Sequence, residues 1–104
     1  MARLQLVYAP RAQRDLLSLE RHFALQILED PSILETRPWP PGKVKRLSGT
    51  DFWEVKSGDN RTIFWPVRGR AIVLRVVNRR DLGRTLGRID LRALVRWLRA
   101  RREE

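Results

Sequence analysis

A chain of 104 residues is long enough for one domain with a single modest core. With no cysteine in it, disulfides and thiolate metal sites are excluded as sources of stability. Its 22 basic and 12 acidic side chains leave a formal charge of +10, and the excess falls wholly within residues 43–104. A one-sided excess of this kind points to a polyanionic partner, nucleic acid above all. An arginine-favouring genome would explain why only three of the basic residues are lysine, but not the shortage of acids.

The elements follow in chain order. RLQLVYA, residues 3–9, alternates Leu4, Leu6 and Tyr8 with Arg3, Gln5 and Val7, the pattern of a short strand. Pro10 then opens a helix, where its missing N–H costs least. Ala12, Leu16, Leu19, Phe23 and Ile27 form one apolar stripe, widened by Leu17 and Leu28. This is either one rod or a pair bent near Ser18 to Glu20, ending at Pro31. ETRPWPPG, residues 35–42, is an extended loop. From residue 43 the period switches to strands: KVKRL, DFWEVK, RTIFWPV and RAIVLRVV. RGR, residues 68–70, makes the second hairpin turn, NRRDLGRTLG is a linker, and a basic helix is expected over 88–104.

The predicted fold is α+β in a single domain, residues 1–104. An N-terminal strand and helix, or helical hairpin, precede an antiparallel meander of three to four strands and a C-terminal helix, with the helices packed on one sheet face. No apolar run approaches the ~20 residues a membrane span needs. The opening MARLQLVYAP is too short and interrupted for a secretory signal. A cytoplasmic location without membrane contact is expected. The composition offers no glycine-rich phosphate loop, no metal-ligand spacing and no serine–histidine–acid set, so neither metal nor cofactor is expected.

Two clusters carry the candidate chemistry. In WEVKSGDNRTIFW, residues 53–65, SGDN is a turn by composition. Either turn length places Lys56 opposite Arg61, with Cβ atoms ~5 Å apart on one face. Glu54, Phe52 and Trp65 share that face, while Trp53, Val55, Thr62 and Phe64 point to the helices. Such a face is an anion groove with stacking surface, or else an exposed face of solvated charges. In VVNRRDLGRTL, residues 76–86, an apolar run ends in Asn78, Arg79, Arg80 and Asp81. A meander returns Arg79 and Arg80 to the Lys56–Arg61 corner, unless an Arg80–Asp81 pair takes part of that charge. In the last helix Arg88, Arg92, Arg96 and Arg99 make a ridge beside Leu91, Leu94, Val95 and Leu98; it either tracks a phosphate backbone or is a solvated edge. His22 reads as a helix surface residue and Tyr8 as core. Trp39 and Trp97 read as exposed, suited to a protein interface with a partner or a second copy.

RLSG, the strand ending WEVKSGDNR, TIFWPV and IVLRVVNRRD together resemble the RelE/ParE superfamily of bacterial toxins. The resemblance covers about residues 3–86 and is most specific across 46–81. It implies a toxin held silent by an antitoxin protein. The RelE-like branch, the favoured reading, cleaves mRNA in the ribosomal A site. The ParE branch instead poisons DNA gyrase and cleaves no RNA. A basic RNA- or ribosome-binding domain without toxicity is the remaining alternative. By position, Arg61, Lys56 and Arg80 match the residues that hold the scissile phosphate in RNA-cleaving members. Cleavage by a ribose 2′-oxygen needs a base, stabilisation of the phosphorane and an acid. Glu54 is the first candidate base and Asp81 the second. No imidazole or phenol stands after the last strand, and arginine, with a pKa above ~12, is a poor acid. Lys43, Lys45, Arg46, Arg79, Arg84, Arg88, Arg92 and Arg96 are the candidate RNA-binding residues.

Overall fold

The computed structural model describes residues 4–35 and 38–101. Arg3, Thr36, Arg37 and the last three residues of the expected terminal helix lie outside the described residues. In chain order the elements are β1 (Gln5–Tyr8), α1 (Pro10–Leu17), α2 (Arg21–Glu29), a 3-10 segment (Asp30–Glu35), β2 (Val44–Arg46), β3 (Trp53–Ser57), β4 (Asn60–Val67) and β5 (Arg70–Asn78). A second 3-10 turn (Arg79–Asp81), the short α3 (Leu82–Leu86) and α4 (Leu91–Arg101) complete the chain.

The α+β class holds, with a five-stranded sheet ordered β1-β5-β4-β3-β2. Strands β2 to β5 form the antiparallel meander. β1 was legible as a strand but not in its pairing: it adds to β5 in parallel, Leu6 facing Ala71 and Tyr8 facing Val73. The first helix is a pair. α1 stops at Ser18, whose amide reaches back to the Arg14 and Asp15 carbonyls while its hydroxyl donates to Asp15 O at 2.7 Å. The linker after β5 carries the helical turns 79–86, and the terminal helix begins at Leu91, later than read from the periodicity.

The helices do not share one face. Ala12 of α1, Ile27 of α2 and Leu34 pack with Val55, Phe64, Ala71 and Val73. Leu94, Trp97 and Leu98 of α4 pack with Phe52, Ile63, Ile72 and Leu74 on the other face. The sheet is therefore covered on both sides, because each central strand is apolar at successive positions and would otherwise expose one of its two apolar faces. A bulge keeps this arrangement consistent. Ile63 faces Arg75 but Phe64 faces Val73, so Leu74 is the extra residue. Val73 and Val76 consequently join the first core cluster, and Leu74 and Val77 the second.

Asp15 of α1 closes the bulge. Its Oδ2 accepts the Val76 amide at 2.8 Å, and the carboxylate takes two hydrogen bonds from Arg75, at 2.8 and 3.2 Å. The apolar stripe of α1 and α2 is less buried than its periodicity implied. Ala12 and Ile27 are fully buried, whereas Leu17 is 85% exposed and Phe23, Leu25 and Leu28 are partly so. Tyr8 packs against the first cluster, and burial raises its phenol above the ordinary pKa. His22 is at the surface, 3.7 Å from Glu20.

The β4–β5 turn holds Arg68 at φ 47° and Gly69 at φ 77°, both left-handed as a type I′ connection requires. A non-glycine residue there costs roughly 1–2 kcal/mol, least for asparagine. Arg68→Asn is expected to raise stability by about 1 kcal/mol and the melting temperature by several degrees. An unchanged midpoint in thermal unfolding would contradict the strain.

Candidate nucleic-acid interface

The β3–β4 hairpin turns in two residues, Gly58 and Asp59, with Ser57 facing Asn60 and Lys56 facing Arg61. Gly58, at φ 60°, supplies the left-handed position such a turn needs. On the next rung Glu54 faces Ile63, and on its other side Glu54 faces Lys45 of β2. One sheet face near the hairpin tip thus carries Lys45, Lys56, Arg61 and a single carboxylate. The placement of Lys45 was open to sequence reasoning, since matching Val44 with Val55 fixes the register.

The end of β5 returns to the same tip. Asn60 faces Asn78, and the Arg79 amide donates to Asp59 O at 2.8 Å. Asn78 Oδ1 accepts the Arg80 amide at 3.1 Å, which caps the 3-10 turn and fixes the backbone from which Arg80 projects. Arg79 is occupied by Asp59, Nε to Oδ1 at 3.4 Å. The pair is exposed and contributes under ~1 kcal/mol.

Arg61 is not a free cation. Its Nη1 donates to Gly58 O at 2.8 Å and Asn60 O at 3.0 Å. Its Nε lies 3.7 Å from Glu54 Oε2, close enough for charge contact and too long for a hydrogen bond. The Glu54 side chain is buried, 6% exposed, and that of Arg61 is largely covered at 12%, and Glu54 Oε2 has no hydrogen-bond donor among the described residues. Lys56 and Arg80 differ: neither side chain has a hydrogen bond or ion pair among the described residues. The suggested Arg80–Asp81 pair is not made, because Asp81 holds Arg84 instead.

Other candidate residues separate from this cluster. Lys43 is paired with Asp30 at 3.2 Å. Arg46 faces Trp53, on the opposite side of the sheet from Lys45, and donates to Thr50 O. Arg92 and Arg96 are exposed on α4, while Arg88 stands in the turn before it. The aromatic stacking surface is not available either. Phe52 is buried and Trp65 packs with it in the second core cluster, under α4. Trp97 belongs to that cluster too, with Arg101 5.1 Å over its ring. Trp39 packs edge-on against Trp53 and Phe64, so neither tryptophan stands free as an interface anchor. Among the described residues no group of His, Cys, Asp or Glu is placed to hold a metal.

No family model matches the sequence, and no curated protein matches it. Solved structures do match in shape. A chain of the RelBE2 toxin–antitoxin complex from Mycobacterium tuberculosis superposes with a TM-score of 0.63 at 21% identity, covering 75% of this chain and 93% of that one. A chain of the RelB–RelE antitoxin–toxin complex from Methanococcus jannaschii gives 0.60 at 16% identity, covering 74% and 94%. A chain of the RelE–RelB complex from Pyrococcus horikoshii gives 0.60 at 26% identity, covering 73% and 94%.

Proposed function

We propose that this chain, which has a RelE-like fold, is the toxin of a toxin–antitoxin pair and cleaves mRNA on the ribosome. The supporting observation is that Lys45, Lys56 and Arg61 share one sheet face with Glu54 on three strands, and that the backbone carrying Arg80 leaves the end of a fourth strand at the same hairpin tip. No single pairing within the tip neutralises Lys56 or Arg80, so a phosphate group has two uncommitted cations to meet.

In this reading Lys56 and Arg80 grip the scissile phosphate and stabilise charge as the phosphorane forms. Glu54 anchors Arg61 in the resting chain. When substrate draws the guanidinium outward, the carboxylate loses its charge partner, and Oε2 becomes the acceptor for the 2′-hydroxyl proton. Attack of the 2′-oxygen on phosphorus breaks the P–O5′ bond, the departing 5′-oxygen takes its proton from solvent, and alignment of the message by the ribosome supplies the remaining reduction of the barrier. An antitoxin protein is the partner, as in the complexes from which the structural neighbours come.

One observation favours a second reading, in which a toxin of this fold acts by binding, with DNA gyrase as target. Tyr8, the only phenol, packs in the first core cluster on the sheet face opposite the hairpin-tip cations, and His22, the only imidazole, lies on α2. Primer extension on message after induced expression separates the two. Codon-phased cuts are the expected result. Intact message with broken chromosomal DNA would replace the nuclease reading with the gyrase one.

A further inference from the structure

A cleft of about 360 Å³ opens between the start of α1 and the first half of α4, above β5. It lies toward the β1 edge of the sheet, whereas Lys45, Glu54 and Lys56 lie toward the β2 edge. Its floor is apolar, built mainly from Ala9, Leu74, Leu94 and Trp97, three of them members of the second core cluster and Trp97 packed against it. Its rim carries Arg11 and Arg14, one turn apart on α1, with Arg75 and Arg88.

The charges on the rim are unevenly compensated. Arg75 is neutralised by Asp15 at 2.8 Å. Asp90, the one acid on the rim, spends Oδ1 on the Ala93 amide at the start of α4, at 3.1 Å. Arg11, Arg14 and Arg88 are exposed and have no side-chain hydrogen bond or ion pair among the described residues. Three uncompensated guanidinium groups around a concave apolar floor match a ligand that is apolar at its centre and anionic at its edges.

The floor decides which anion. A nucleobase needs an aromatic face to stack on, and the only ring here, Trp97, already has Arg101 5.1 Å over it. The rest of the floor is aliphatic, which suits a branched aliphatic side chain. We infer that the cleft docks an acidic, amphipathic segment of a partner polypeptide. One aliphatic side chain of the segment rests on Leu74 and Leu94, and its carboxylates reach Arg11, Arg14 and Arg88. Occupancy of this cleft is independent of whether the hairpin-tip cluster cuts RNA.

The test is selection of short random peptides displayed on phage against the full chain, followed by affinity measurement on the enriched peptides. Enrichment should combine Asp or Glu with Leu, Ile or Val. Binding should fall by about tenfold in Arg11→Glu/Arg14→Glu, whose exposed side chains make no hydrogen bond or ion pair among the described residues. It should also fall in Ala93→Trp, which fills the floor, and stay unchanged in Lys56→Ala. Thermal melts check folding, and if Ala93→Trp unfolds the charge-reversed variant still decides. Failure to enrich, enrichment without acidic residues, or equal binding to the charge-reversed variant would overturn the assignment. So would a single-stranded RNA oligonucleotide that loses affinity in the cleft variants while the peptides do not.

Discussion

Lys56→Ala combined with Arg80→Ala is expected to abolish growth inhibition in cells while leaving the fold intact. Neither side chain has an ion-pair partner among the described residues, so their removal strands no buried charge. Surface truncations of that kind change stability by about 0.5 kcal/mol or less. Each lost charged contact to a phosphate costs roughly 1.5–3 kcal/mol, and two together correspond to a loss of a hundredfold or more. The measurement is growth after induction, paired with a thermal melt of the purified variant. Full toxicity in a folded double variant would remove these residues from the site. Arg61→Ala is a poorer probe despite its central position. It would leave Glu54 as an unpaired buried carboxylate, at a cost of about 3 kcal/mol. Loss of toxicity there would confound function with folding unless Glu54→Gln accompanies it.

Asp15→Ala is expected to be the most destabilising polar substitution in the chain, by about 3–4 kcal/mol. It removes both hydrogen bonds to Arg75 and the acceptor for the Val76 amide at the bulge. A domain of this size has a total stability of roughly 5–15 kcal/mol, so the variant should unfold at much lower denaturant concentration. Asp15→Asn keeps one acceptor oxygen for Val76 and should lose less. Paired with Arg75→Met, the Asp15 variant should show strong non-additivity. A shift below about 1 kcal/mol for Asp15→Ala would mean that solvent replaces the carboxylate without penalty.

The parts of the fold governed by local chemistry were the legible ones. A Gly-Asp turn sets the register of β3 on β4, so the Lys56–Arg61 and Glu54–Ile63 rungs follow from SGDN alone. The return of Arg79 to the turn follows from the meander. Packing decided the rest. The run AIVL in β5 is apolar on both faces, and each face takes its own helices. The extra residue at Leu74 has no local marker, since Leu fits bulge and strand equally well. Asp15 and Arg75 meet across 60 positions, which no periodicity records. The fate of each cation likewise depends on three-dimensional neighbours: Glu54 holds Arg61, and Asp81 takes Arg84 rather than Arg80.

The sheet ends in strands of four and three residues, β1 and β2. The outer rim of β2 presents Lys45 and Arg46, both exposed. Two copies zipping together along that rim would bring these cations against their own counterparts, for only a few ladder bonds in return. Clumping through sheet extension is thereby disfavoured, and a foreign strand seeking that rim would gain most by carrying aspartate or glutamate.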